Sequence, residues 1–105
     1  MYAMATRWTF KVGSGEEVFG VNQDEIMPAL DEQPGYVRSV VVRTGTDSFL
    51  SLVCWETEDD AKRAAAVLTP LLIRHLGHLV RGVERVGGTV AYERWARSPE
   101  GVRTD

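Results

Sequence analysis

Apolar and polar positions alternate over residues 6–12, with Trp8, Phe10 and Val12 on one side and Arg7, Thr9 and Lys11 on the other. That period of two predicts a half-buried strand. Gly13-Ser14-Gly15 breaks it. Ser14 and Glu17 have the spacing of a capping box, and Glu16 and Glu17 suit the positive end of a helix. The helix is expected to bury Val18, Phe19, Ile26, Met27 and Leu30, and to kink or restart near 22–24 because Gly20 and Pro28 weaken its interior. Gln33-Pro34-Gly35 ends it. Residues 36–43 and 48–56 are rich in β-branched and aromatic types and predict two strands, joined by Thr44-Gly45-Thr46-Asp47 into a hairpin. Thr57 before Glu58, Asp59 and Asp60 is an N-cap ahead of an acidic first turn. The helix it opens is expected to run to about Leu68. Thr69-Pro70 predicts a further helix, with Pro70 at its first position, burying Leu72, Leu76, Leu79 and Val80. Gly87-Gly88 predicts a small turn after 83–86, and 89–96 a last strand. Residues 97–105 form a polar tail.

The order is β-α-β-β-α-β with an extra helix before the last strand, an α+β, ferredoxin-like arrangement in one domain spanning 1–105. The middle strands are apolar on both faces: Phe49, Val53 and Trp55 on one, Leu50, Leu52 and Cys54 on the other. Helices cover one face only, so the other needs a partner, and a second copy of the chain is the simplest one.

Composition narrows the function classes. A net charge of −3, with twelve Lys and Arg scattered along the 105 residues, gives no drive toward nucleic acid. Cys54 is the only cysteine, so neither an internal disulfide nor a cysteine-based zinc site is available within the chain. No apolar run approaches the roughly 20 residues that span a bilayer, and MYAMATRW lacks the pattern of a signal peptide. A cytoplasmic protein that touches no membrane is expected.

Three features at their spacing resemble the antibiotic biosynthesis monooxygenase family, whose members are dimeric α/β barrels. They are a strand followed by Gly13-Ser14-Gly15-Glu16-Glu17, Gln33-Pro34-Gly35-Tyr36 before the second strand, and Cys54-Trp55-Glu56-Thr57-Glu58-Asp59-Asp60-Ala61 at the third strand's exit. The resemblance implies a homodimer that acts as a cofactor-independent monooxygenase, or a related isomerase or cyclase, on a small aromatic or polyketide-like substrate. Its oxygenase branch needs neither metal nor flavin, so no cofactor is expected. Its haem-degrading branch has an asparagine in the first strand and an axial histidine ten residues after the tryptophan. Residues 6–12 contain no asparagine, and Ala65 stands ten residues after Trp55, which disfavours haem.

The hairpin sharpens the site. With its loop centred between Gly45 and Thr46, Arg43 faces Ser48, Val40 faces Ser51, Arg38 faces Val53 and Tyr36 faces Trp55. Tyr36, Arg38, Ser51 and Trp55 then share one sheet face. Two aromatic rings stack a substrate, a guanidinium binds its anionic oxygen, and Ser51 leaves room beside Trp55. Trp55, Tyr36 and Ser51 are the candidate substrate-binding residues, and Arg38 and His75 the candidate catalytic ones, His75 as a proton carrier. Each has a plainer alternative. The Tyr36–Trp55 pair can be packing, Arg38 a snorkelling edge residue, and Cys54 a small core side chain. His75 and His78 lie one helical turn apart with no further ligand near in sequence, so no metal site is expected. Trp8 and Trp95 are expected in the core or a dimer contact. An enzyme of this kind needs a cavity of several hundred cubic ångströms with a polar group directed into it, on the order of ordinary ligand sites. A structural or ligand-binding dimer is the alternative function.

Overall fold

The computed structural model describes residues 1–96, so the polar tail 97–105 lies outside the described residues. Strand β1 (Tyr2–Phe10) leads to helix α1 (Gly15–Val21), a π-helical turn (Asn22–Ile26) and helix α2 (Met27–Asp31). Strands β2 (Tyr36–Gly45) and β3 (Ser48–Trp55) form the hairpin, helix α3 (Glu58–Leu76) follows, and β4 (Val80–Thr89) closes the sheet. The sheet order is β2-β3-β1-β4, with every neighbouring pair antiparallel. This is the ferredoxin-like α+β fold, helices on one face.

The first strand starts four residues earlier and ends two residues earlier than its alternation predicts. As a central strand, β1 is paired on both sides back to Tyr2, while Val12 is 89% exposed beyond its end. The expected capping box does not form. Ser14 Oγ donates instead to the Lys11 carbonyl at 2.6 Å. The N–H groups of Gly13 and Gly15 donate to the Asp47 carboxylate at 3.0 and 2.8 Å. An ionised carboxylate is the stronger acceptor, and the β1–β3 pairing delivers Asp47 to that point. Gly15 is required there, because a Cβ would collide with the Thr46 carbonyl oxygen. The predicted break in the first helical segment is the π turn. At its far end Pro28 sits in the first turn of α2, where no N–H is needed.

Thr57 caps α3 as expected, its Oγ1 accepting from Asp60 N at 3.1 Å. The predicted second helix is absent: α3 runs unbroken through Pro70 for 19 residues. Proline removes one donor, and the carbonyl it leaves, on Ala66, is at an exposed position where water can serve it. Gly87-Gly88 is not a turn either. Both glycines lie within β4, opposite Met4 and Ala3, because the strand pairs nine residues with β1 where a local hairpin would satisfy four. The expected strand 89–96 is therefore displaced, and β4 ends at Thr89.

The core under the helices is in two pieces. Phe10, Val18, Phe49, Leu76 and Leu79 form one cluster, and Leu30, Trp55, Ala61 and Ala64 the other. Between them the sheet and helices carry small or polar side chains. Among the described residues no helix is long and apolar enough to cross a membrane.

Candidate functional site

A cavity of about 470 Å³ occupies the gap between the two clusters. Its floor is best read as a row across the sheet: Val41 opposite Ser51, Ser51 opposite Thr6, and Thr6 opposite Arg85. Three of these four are polar where a filled core would be apolar, and all four line the cavity. Trp8 and Trp55 stand on either side of the row, and Ala65, Leu68 and Thr69 of α3 form part of the roof. Small side chains at Ser51, Thr6 and Ala65 leave the volume that larger residues would fill.

The polar groups are linked. Trp8 Nε1 donates to Ser51 Oγ at 3.4 Å, and Arg85 Nε donates to Thr6 Oγ1 at 3.3 Å. The Arg85 guanidinium carbon lies 5.9 Å from the Trp8 ring centroid, within cation–π range. Trp8 in turn stacks on Phe10 at 6.0 Å and 8°. At the other end Tyr36 meets Trp55 edge-on, with centroids 5.8 Å apart, and its hydroxyl is hydrogen-bonded with Ser39 Oγ at 2.8 Å. Among the described residues that line the cavity, Arg85 is the only charged one.

The hairpin register corrects one expectation. Tyr36 does face Trp55, but an extra residue at Val37 puts Arg38 opposite Cys54, Ser39 opposite Val53 and Val41 opposite Ser51. A second irregularity pairs Gly45, not Arg43, with Ser48. A slip of one residue moves a side chain to the other face. Arg38 is therefore on the sheet face away from Trp55, paired with Glu93 at 2.6 Å and 5.0 Å from the Trp95 ring centroid. Tyr36, Ser51 and Trp55 share the helix-covered face, with Tyr36 behind Trp55 rather than in the lining. His75 is half-buried on α3, its Nε2 3.9 Å from Glu25 Oε2, and is not a lining residue. Cys54 is buried at 3% exposure, while Trp95 is 62% exposed. Sequence reasoning missed Arg85, Thr6, Asn22 and Gln23. The alternation Thr6-Arg7-Trp8 contained the signal for Thr6, since it shares the parity of Trp8. Arg85 could be found only by knowing that 80–89 is one strand.

Near Trp55, the Thr57 hydroxyl donates to Asp60 Oδ2 at 2.8 Å, and Arg63 pairs with Oδ1. The Thr57 hydrogen bond, helped by Arg63, holds the Asp60 carboxyl below its ordinary range against the opposing effect of burial.

Neither a family model nor a curated protein matches the chain. Solved structures do. SnoaB, a cofactor-independent oxygenase from Streptomyces nogalater, superposes with a TM-score of 0.74 at 23% identity, covering 88% of this chain and 94% of its own. A putative antibiotic biosynthesis monooxygenase from Nitrosomonas europaea gives 0.75 at 14% identity, over 88% and 100%. The chain has the fold of the antibiotic biosynthesis monooxygenases. The same fold is shared by MhuD, crystallised with two manganese protoporphyrin IX bound per active site, at a TM-score of 0.70 and 16% identity over 91% and 100%. Ala65, ten residues after Trp55, is among the residues lining the cavity.

Proposed function

We propose that the protein is a homodimer whose cavity holds a small planar aromatic substrate bearing an anionic oxygen, and that it acts as a cofactor-independent monooxygenase. The observation that carries this is Arg85, a lone charge on the wall of a mostly apolar cavity of about 470 Å³ with an indole at either end. A guanidinium beside a phenol favours its anionic form, against the opposing effect of apolar surroundings, and those surroundings strengthen the ion pair once it has formed. A phenolate is electron-rich enough to reduce dioxygen itself. One oxygen atom enters the ring as the second carbonyl of a quinone, the other leaves as water, and the substrate supplies all the electrons. Arg85 stabilises the negative charge, Trp8 and Trp55 flank the ring, and the Thr6 and Ser51 hydroxyls orient its oxygens. His75 and Arg38, outside the cavity wall, act at most on the fold around it. The dimer forms through the uncovered sheet face, where Val40, Val42, Leu52 and Val86 are 46%, 48%, 37% and 70% exposed. A cytoplasmic setting, where phenolic intermediates are made, suits this reading.

A second reading is a ligand-binding dimer without chemistry. It is favoured by a lining that, among the described residues, contains no carboxylate or imidazole to serve as a general base. One experiment separates the two. Tryptophan fluorescence is titrated with 2-naphthoate, and oxygen uptake is followed with hydroxylated naphthalenes and anthracenones. Binding that Arg85→Met weakens about tenfold or more, the order of a charge-assisted hydrogen bond, together with oxygen uptake supports the oxygenase. Binding without uptake leaves the second reading. No binding of any aromatic anion removes both.

A further inference from the structure

The residues of the first helical segment that line the cavity are spaced by four: Val18, Asn22, Ile26 and Leu30 in one line, Phe19, Gln23 and Met27 in the next. In a regular α-helix four residues overshoot a full turn by about 40°, so three such steps drift by about 120° and carry the last residue off the face. Here they do not drift away, because the π turn Asn22–Ile26 widens the coil. The Met27 N–H donates to the Asn22 carbonyl, five residues back. Such turns are rare and occur frequently at functional sites. The two positions that this turn sets into an otherwise apolar line are both amides. Neither side chain is engaged by a hydrogen bond to another of the described residues. Asn22 is partly buried and Gln23 exposed, the expected gradient from the inside of a cavity to its mouth. An amide can donate to a carbonyl or accept from a hydroxyl, which a neighbouring leucine cannot do.

We infer that Asn22 and Gln23 are specificity-determining residues, held toward the cavity by the π turn to read an uncharged oxygen substituent on the ring, while Arg85 takes the charged one. This rests on the reading of the cavity as a site for an oxygenated aromatic anion. It goes beyond that reading by naming a second recognition point on the helical wall and a preferred class, the ring that carries a hydroxyl or carbonyl away from its anionic group.

The test compares 2-naphthoate with 6-hydroxy-2-naphthoate, which share the carboxylate and differ by one distal oxygen. Wild-type protein is expected to prefer the hydroxylated ligand about fivefold, the worth of one neutral hydrogen bond. Gln23→Met and the double variant Asn22→Leu/Gln23→Met should bring that ratio to about one, with 2-naphthoate affinity kept or raised. The exposed Gln23→Met variant keeps the test open should the double variant not fold. A ratio unchanged in both variants, or no wild-type preference while 2-naphthoate still binds, overturns the inference and leaves the Arg85 reading standing. If 2-naphthoate itself fails to bind, both fall.

Discussion

Two neighbouring rows of the same sheet face opposite ways. Val40, Leu52, Ala5 and Val86 cross the four strands on the uncovered face. One residue along, Val41, Ser51, Thr6 and Arg85 cross them on the other face, where the helices cover Ser51 and Thr6 of the central strands and leave Val41 and Arg85 exposed at the edges. The ordinary rule would give the covered row the apolar residues and the uncovered row the polar ones. The middle of this protein inverts it. An apolar row left uncovered indicates a surface that something else covers, and a polar row under helices indicates volume reserved for something other than side chains. Neither departure helps an isolated chain, and the two fit different parts of the proposed function, one the partner surface and the other the ligand site.

The strongest way to break this comparison is to truncate at matched positions. Trp55 is 4% exposed and belongs to the second core cluster, so Trp55→Ala should cost about 3–5 kcal/mol in urea unfolding. Val42, half exposed on the other face, should cost under about 0.5 kcal/mol as Val42→Ala when measured at concentrations where the protein is monomeric. Similar costs at both sites would mean that the covered face is not where the fold is held. Next in size is Gly35→Ala. Gly35 has φ +79°, and an added Cβ would collide with the Asp60 carboxylate that sits at the Trp55 end of the cavity. The loss should exceed about 1 kcal/mol, since alanine is strained at positive φ even where space allows.

Two further variants sharpen the contrast without unfolding anything. Leu52→Lys puts a charge in the centre of the uncovered row. The sedimentation coefficient should fall from dimer to monomer while the circular dichroism spectrum is kept; an unmoved dimer would place the interface elsewhere. Ser51→Leu, its counterpart in the covered row, fills reserved space. Unfolding free energy should change by less than about 1 kcal/mol, because the added methyl groups enter a cavity rather than a packed core. Binding of 2-naphthoate should disappear. A large destabilisation instead would show that the space is not available to a side chain of that size.

Much of this contrast was legible in the chain. The period-two alternation of Phe49-Leu50-Ser51-Leu52-Val53-Cys54-Trp55 assigns each of these residues to the correct face, and the strand–helix order leads to the fold. Local chemistry also marked the Thr57 cap and the break before Pro28. What failed was whatever depended on distant pairing. The bulge at Val37 carries no mark of its own, yet it decides that Arg38 leaves the Trp55 face. Gly87-Gly88 has turn chemistry, but β1 offered a longer ladder. Pro70 has start chemistry, but the face it weakens is solvated. Arg85, the cation of the proposed site, was hidden by the misread turn at Gly87-Gly88, which is why a cation was sought on the hairpin.

The smallest expected effect concerns the covered face alone. Because the Thr57 hydroxyl and Arg63 hold the Asp60 carboxyl below its ordinary value of 3.8, the folded protein binds fewer protons there than the unfolded chain. Stability from this group is therefore fully present above the unfolded value and is lost as pH falls through the folded one. The urea midpoint should fall on acidification from about pH 5 to about pH 3, and part of that fall should vanish in Asp60→Asn, which cannot titrate. Thr57→Val should remove the same part by a different route, taking away the hydroxyl that donates to the carboxylate and accepts from its backbone. Both variants leave the uncovered row untouched, so the proposed dimer should persist wherever the fold does. If Asp60→Asn titrates like the wild type, the acid sensitivity belongs to other carboxylates, and the Thr57–Asp60 pair is a helix cap with no charge to protect.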